Sequence, residues 1–271
     1  MSKSLSTEII NSRWLLENPY AHLDENGTFS ALPFHVKTEV AKSGHRFSEA
    51  EIKQKAKELR EIIWKNRKLI WGANIPSDPT DMLDPSVIFE YMGYDYDLDE
   101  TLGQYRSQGQ LIEVAGVIDS SSKRVRISRQ FSPEVRLFTL AHELGHAVLH
   151  EARGLHRDRS LDGTTMSRDA IETEADKFAT NFLMPEKLVV ARFASQFATE
   201  CFALNEATVF ALSGGNLSDF QKKCQTLRDL SRILAKVEYY NGLYFTSLSN
   251  QFRVSPEAMA IRLEELELLA V

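Results

Sequence analysis

The sequence contains only two cysteines in 271 residues, Cys201 and Cys224, so no disulfide framework is expected to hold the fold together. No stretch approaches the roughly 18 apolar residues that a membrane span needs. The first twenty residues also lack the apolar core and cleavage site of a signal peptide. We therefore expect a cytoplasmic protein without a membrane segment. Both cysteines are interpreted as small buried hydrophobes, with a thiolate that ligates a metal as the less favoured alternative.

Positive charge is in deficit, since 32 Lys and Arg stand against 38 Asp and Glu, which gives a formal net charge of −6. This balance excludes a chain whose whole surface is a nucleic-acid footprint, although it permits a local basic patch. A hydrophobic content of 43% is ordinary for a globular chain. The length fits one large domain or two modest ones.

The pattern divides the chain into three parts and indicates an α+β fold. Residues 1–46 mix Pro, Gly, Asn and aromatic residues without a sustained period and are interpreted as an N-terminal extension. A helix capped by Ser48 then opens a mixed domain over 47–190, which includes a β-hairpin around the polar turn at 119–122. Residues 191–271 are predicted to be mainly helical and to end in two short helices around a Val-Ser-Pro turn.

The segment LFTLAHELGHAVLHE, residues 137–151, places two histidines four residues apart on a predicted helix. His142 and His146 would lie about 40° apart on one helix face, so each could offer a ring nitrogen to one Zn²⁺. Glu143 borders this face, from which it reaches the metal's water as a general base more readily than the metal itself. The competing interpretation is a chance match, because the same spacing occurs in unrelated helices.

A catalytic zinc site needs a third protein ligand, which is expected on the next predicted helix, roughly residues 167–184. Glu172 and Asp176 lie one turn apart on one face of that helix. Glu172 could bind the metal while Asp176 accepts a hydrogen bond from the far nitrogen of a ligating histidine. Glu174 points away from Glu172 and is predicted to be solvated. Without the histidines, a solvent-facing acidic pair would be the preferred explanation of Glu172 and Asp176.

The segments FTLAHELGHAVLH and ETEADKFATNFLMP together resemble those of the ImmA/IrrE metallopeptidases. The resemblance implies a zincin-like peptidase domain that holds one zinc ion per chain with His142, His146 and Glu172 and uses Glu143 as the catalytic base. It also implies cleavage of a helix-turn-helix repressor of the Xre type, which would derepress genes for stress, DNA-damage response or phage defence. The same pathways make single-stranded DNA a candidate activator.

A peptidase also needs a hydrogen-bond donor, besides the metal, for the oxyanion that develops in the transition state. The candidates are His150, His156 and Tyr105, and the sequence does not choose among them. His150 is equally suited to end the first of the two helices, the interpretation that we favour slightly.

The segment KRVRISR is predicted to be a strand with one packed face, formed by Val125 and Ile127, and one basic face. Three arginines of this region are candidate contacts for a substrate or for nucleic acid: Arg124, Arg126 and Arg129. A solvated basic face is the simpler interpretation. The last predicted helix carries four glutamates against Arg262 alone, so we interpret the terminal pair as a packing or partner-binding module that does not read bases.

The leading hypothesis is therefore a zinc endopeptidase that acts on a protein regulator. The alternative is a non-proteolytic protein that senses DNA or a partner and whose zinc site is structural or vestigial. Glu143 favours the enzyme, because a purely structural zinc site has no use for a base at that position.

Overall fold

The computed structural model describes residues 46–107, 110–150, 155–159 and 170–270, with the backbone alone for 107, 110 and 155–159. All but one residue of the predicted N-terminal extension lie outside the described residues. The described chain forms two compact units: residues 46–132 with Arg136–Phe182, and Pro133–Val135 with residues 183–270. The mixed α+β class is confirmed. The predicted domain limits at 46/47 and 190/191 stay predictions.

Helix α1, Glu49–Trp71, begins where the sequence predicts. The Ser48 hydroxyl accepts a hydrogen bond from the Glu51 N–H at 3.3 Å, and the Glu51 carboxylate accepts one from the Ser48 N–H at 2.8 Å. This reciprocal capping satisfies two backbone donors that the first turn leaves open. The apolar stripe of the helix is buried at Ile52, Ala56, Leu59 and Ile63.

A short 3₁₀ turn, Pro79–Met82, and helix α2, Pro85–Tyr91, lead into a mixed sheet. Its strands are β1 (Asp95–Asp99), β2 (Gln104–Ser107), β3 (Gln110–Asp119), β4 (Arg124–Ser128) and β5 (Leu155–Arg159). The order is β1-β4-β3-β2, and β5 also pairs with β3. Strands β3 and β4 form the predicted hairpin, whereas β1 runs parallel to β4.

Strand β4 shows the predicted alternation, since Val125 and Ile127 are fully buried and Arg124 and Arg126 are exposed. It lies inside the sheet, with β1 on one side and β3 on the other. The backbone of β4 is therefore hydrogen-bonded to a neighbouring strand on each side.

Two helices lie mostly in the first unit: α3, Pro133–Leu149, and α4, Ala170–Leu183. From Thr139 onward every residue of α3 is buried. The helix therefore buries its polar side chains together with its aliphatic ones, which requires partners for the polar groups. No helix in this part of the chain or in the rest of the described residues is long and apolar enough to cross a bilayer.

The second unit is mostly helical, as predicted. Its helices are α5 (Glu186–Phe197), α6 (Glu206–Ser213), α7 (Leu217–Lys223), α8 (Leu227–Lys236), α9 (Leu248–Phe252) and α10 (Pro256–Glu265). Two small two-stranded sheets, which the sequence did not predict, pair β6 (Phe202–Ala203) with β9 (Leu269–Ala270) and β7 (Tyr239–Tyr240) with β8 (Leu243–Tyr244). Cys224 is buried as expected, but Cys201 is exposed, so that part of the cysteine prediction is wrong.

The acidic charge of α10 is paired within the second unit. Arg228 on α8 donates through Nε and Nη2 to the two carboxylate oxygens of Glu264, at 2.7 and 2.8 Å. Its third nitrogen, Nη1, donates to Glu257 at 2.8 Å, and Arg232 donates to Glu257 as well. The Ser231 hydroxyl also donates to Glu264. These glutamates therefore join two helices of the unit, which agrees with a packing role.

We expect Arg228→Met to lower the free energy of unfolding by about 1 kcal/mol at pH 7, because a bidentate ion pair is lost from a partly exposed site. The hydrogen bonds from Arg228 hold the pKa of Glu264 below its ordinary value. The ion pair thus stabilises the folded chain fully above the ordinary carboxyl pKa. This stabilisation is lost as the pH falls through the lowered pKa of Glu264. Urea unfolding at pH 7 and at about pH 3 measures this.

The matched control is Lys222→Met on α7, where an exposed lysine contacts Asp219 within one turn. We expect its effect to stay within about 0.5 kcal/mol. A loss for Arg228→Met that was the same at both pH values would contradict the ion-pair explanation.

Candidate metal centre

Helices α3 and α4 approach each other to backbone contact at Gly145. A Cβ atom at this position would lie 3.0 Å from Ala175 Cα, 3.1 Å from the Ala175 carbonyl oxygen and 3.2 Å from Phe178 Cβ. Glycine within a helix costs about 1 kcal/mol relative to alanine. Here the absence of a side chain allows the first turns of α4 to lie against the histidine face of α3, with the small residues Ala175 and Ala179 fully buried.

The close approach brings the three predicted ligands together. His142 Nε2 lies 2.9 Å from His146 Nε2, and the Glu172 carboxylate oxygens lie 3.3 Å from His142 Nε2 and 3.7 Å from His146 Nε2. Two ligand atoms of a tetrahedral zinc ion, each about 2.0–2.1 Å from the metal, are roughly 3.3 Å apart. The separations therefore fit a single Zn²⁺, and two imidazoles with one carboxylate suit that metal chemically.

The environment of Glu172 favours its ionised form. Burial alone raises the pKa of this carboxyl, but the hydrogen bonds and the charge of His142 and His146 outweigh burial and hold the pKa below its ordinary value. The two histidines are almost completely buried, whereas the Glu172 side chain is 33% exposed. Glu172 thus enters the cluster as a carboxylate, and its side of the cluster is open to solvent.

Both histidines of the predicted metal site contact a polar group through the ring nitrogen that faces away from the cluster. His142 Nδ1 lies 2.8 Å from Asp176 Oδ1, the contact that the sequence predicts. His146 Nδ1 lies 3.2 Å from Nδ1 of His150, a contact that the sequence did not predict. When Asp176 accepts the hydrogen on Nδ1 of His142, the Nε2 atom of that ring keeps its lone pair, which faces the cluster. This is the tautomer of histidine that binds a metal through Nε2.

Glu174 is buried, so the prediction that it is solvated is wrong. It is 7% exposed, and its Oε2 lies 3.0 Å from His150 Nε2. On a helix, Glu174 is rotated by about 160° from Glu172, so the two side chains do point in different directions, as predicted. However, α4 is buried around most of its circumference, so the side that carries Glu174 faces the end of α3 and not solvent.

Glu143, the predicted base, is fully buried and lies against the sheet. A Cβ atom at Gly116 on β3 would lie 2.9 Å from Glu143 Oε1 and 2.6 Å from Thr139 Cγ2. Gly116 therefore provides the space in which the carboxylate lies. Sequence reasoning missed this residue, although a glycine inside a strand pattern is a known sign of a close approach.

The three candidates for the oxyanion donor differ in their surroundings. His150 ends α3, as one of its two predicted roles requires, and its ring contacts His146 and Glu174. Tyr105 lies on β2 opposite Ile112 of β3. The side chain of His156 lies outside the described residues. The identity of the donor stays a prediction.

The three arginines of the predicted basic face lie beside acidic residues of β1 or beside Glu100, which follows that strand. Arg126 Nε donates to Asp99 at 2.6 Å, and Arg129 lies 3.5 Å from Glu100. Arg124 is paired with Asp95 in the strand register. The positive charge is largely compensated by its neighbours, which favours an ion-paired, solvated face over a nucleic-acid footprint.

Comparison with known proteins agrees with the two motifs. Residues 99–201 match the family model Peptidase_M78, described as the IrrE N-terminal-like domain. A relative named uncharacterized immunity region protein 2, from Bacillus phage phi105, is 32% identical over 93 residues, which are 34% of this chain and 53% of that protein. The match thus spans about half the length of the curated relative. Residues 99–201 include the three predicted ligands His142, His146 and Glu172.

We expect Glu172→Ala to lose bound metal. Of the three ligands found among the described residues, the variant keeps only the two imidazoles of α3. Elemental analysis after dialysis should find about one zinc per wild-type chain and less than about 0.1 per variant chain. The exposed Glu58→Ala on α1 serves as the control and should keep its zinc. Zinc retained without Glu172 would show that another residue is the third ligand.

We expect Gly145→Ala to weaken zinc binding at least tenfold and to destabilise the chain by about 1–3 kcal/mol, because the new methyl group meets backbone that has to shift. Zinc affinity from competition with a chromophoric chelator, together with thermal unfolding, measures both effects. Gly215→Ala is the matched control, since its Cβ would meet only the Ser213 hydroxyl at 3.2 Å. An unchanged affinity in Gly145→Ala would mean that this contact does not determine the ligand geometry.

Proposed function

We propose that this protein is a zinc-dependent endopeptidase, because residues 99–201 match the model of the IrrE N-terminal-like domain of the Peptidase_M78 family. The observation that carries the proposal is the cluster of His142, His146 and Glu172. Glu143 lies on the helix that carries both histidines. Three protein ligands and an open side are the arrangement of catalytic zinc, whereas structural zinc has four protein ligands. The mixed sheet, the histidine helix α3 and the ligand helix α4 support a zincin-like fold.

Bound zinc would polarise the scissile carbonyl and lower the pKa of the attacking water. Glu143 takes a proton from that water and delivers it to the leaving nitrogen. Its burial beside Gly116 keeps the carboxylate in a water-poor site, where a proton acceptor interacts more strongly with its substrate than in bulk water. Asp176 holds the ring of His142 in place by accepting its Nδ1 hydrogen.

The proposed substrate is a specific protein, an Xre-type helix-turn-helix repressor, whose cleavage would derepress a stress, DNA-damage or phage-defence operon. Two observations support this choice: the family match, and the similarity to a phage protein named for an immunity region. The terminal helices α9 and α10 are proposed as a helix-turn-helix-like module that packs or binds a partner. Activation by single-stranded DNA has weaker support, because Arg126 and Arg129 lie in ion pairs.

We expect Glu143→Gln to abolish cleavage of the repressor, by at least about 10³-fold, while about one zinc per chain remains bound. The amide has nearly the shape of the carboxylate but cannot accept the proton. Purified wild type and variant are incubated with a purified Xre-type repressor, and the products are identified by gel electrophoresis and mass spectrometry. Zinc content and circular dichroism are recorded for the same samples.

The control Glu58→Gln, exposed on α1, should cleave as the wild type does. Full cleavage by Glu143→Gln would exclude Glu143 as the base. A zinc-loaded wild type that binds the repressor without cutting it would instead support the non-proteolytic regulator with a structural or vestigial zinc site.

A further inference from the structure

Three histidines lie one turn apart along the buried face of α3, at positions 142, 146 and 150. The ring centroids of His142 and His146 are 4.7 Å apart, and those of His146 and His150 are 5.3 Å apart. The first two point one nitrogen each at the cluster with Glu172. His150 is too far along the helix for that cluster, and the mechanism above does not use it.

His150 connects His146 to a buried carboxylate. Its Nδ1 lies 3.2 Å from His146 Nδ1, and its Nε2 lies 3.0 Å from Glu174 Oε2. The side chains of His150 and Glu174 are 8% and 9% exposed, and the ring of Phe47 lies edge-on to His150 at 6.3 Å. The contact between His150 and Glu174 therefore lies where water has little access.

The contacts suit one arrangement of the ring hydrogens. When His146 binds the metal of the proposed function through Nε2, its ring hydrogen lies on Nδ1 and is donated to His150 Nδ1, 3.2 Å away. The same His150 ring then carries its own hydrogen on Nε2 and donates it to Glu174 Oε2. His146 Nε2 is the nitrogen 2.9 Å from His142 Nε2 and 3.7 Å from Glu172. The chain of contacts therefore supports the metal-binding tautomer of His146.

We propose that His150 and Glu174 are positioning residues that act through His146, by fixing its ring orientation and its metal-binding tautomer. The inference rests on the metal site of the proposed function. The two ligating histidines are supported differently: Asp176 contacts His142 directly, whereas Glu174 acts on His146 through an intervening imidazole. Loss of such an outer partner typically weakens metal binding 10–100-fold.

The decisive comparison is His150→Leu with His150→Gln. Leucine fills the buried space but offers no acceptor to His146, whereas the glutamine amide can accept from His146 and donate to Glu174. Zinc affinity is measured by competition with a chromophoric chelator. We expect His150→Leu to bind zinc about 10–100-fold more weakly than the wild type, and His150→Gln to recover most of the loss.

Long-range ¹H–¹⁵N spectra of histidine-labelled, zinc-loaded protein supply a second readout. We expect an Nδ1–H tautomer for His146 and an Nε2–H tautomer for His150 in the wild type, and loss of the defined His146 signal in His150→Leu. Asp176→Ala serves as the positive control for a lost outer partner, and Glu61→Gln on the exposed side of α1 as the negative control.

Equal zinc affinity in the wild type and His150→Leu, or equal losses in the leucine and glutamine variants, would overturn the proposal. If His150→Leu does not fold, Glu174→Gln decides, because it keeps the shape but removes the charge: a weaker affinity supports the proposal and an unchanged one overturns it. A wild type that binds no zinc would refute the proposed function itself, and this outcome is distinct from the others.

Discussion

The backbone contact between α3 and α4 at Gly145 is the constraint on which the rest of the site depends. The helices can come this close only because position 145 has no side chain and position 175 has a methyl group. With the helices at this distance, a short carboxylate side chain spans the gap from α4 to two imidazoles on α3. Interiors are close-packed, so a displacement of one helix by one methyl group would be transmitted directly to the ligand positions.

The burial of many polar groups along α3 is a second constraint on the site. Histidines and carboxylates that leave water are costly unless each finds a partner. Three acidic side chains of α4 supply such partners. Glu172 and Asp176 contact His142 on α3, and Glu174 contacts His150, which follows the last residue of α3. The network orients each ring, so the same contacts that satisfy the buried groups also prepare the nitrogens for a metal.

Charge elsewhere in the molecule is compensated within each unit. Arg126 of β4 lies against Asp99 of β1, and the arginines of α8 lie against Glu257 and Glu264 of α10. Segments that look strongly basic or strongly acidic in the sequence are therefore much less so in the folded chain. This leaves the metal cluster, and not a charged surface, as the feature with the clearest chemical role.

The sequence by itself determined the elements whose signals are local. The capping box at Ser48, the β3–β4 hairpin, the histidine helix and the helix face that carries Glu172 all follow from spacing along the chain, because helix and strand periods are fixed by backbone geometry. Only the tertiary structure decided which groups Gly116, His150 and Glu174 contact. Their contacts join β3 to α3 and α3 to α4, and a periodic pattern states which face of a helix a residue occupies but not which element covers that face.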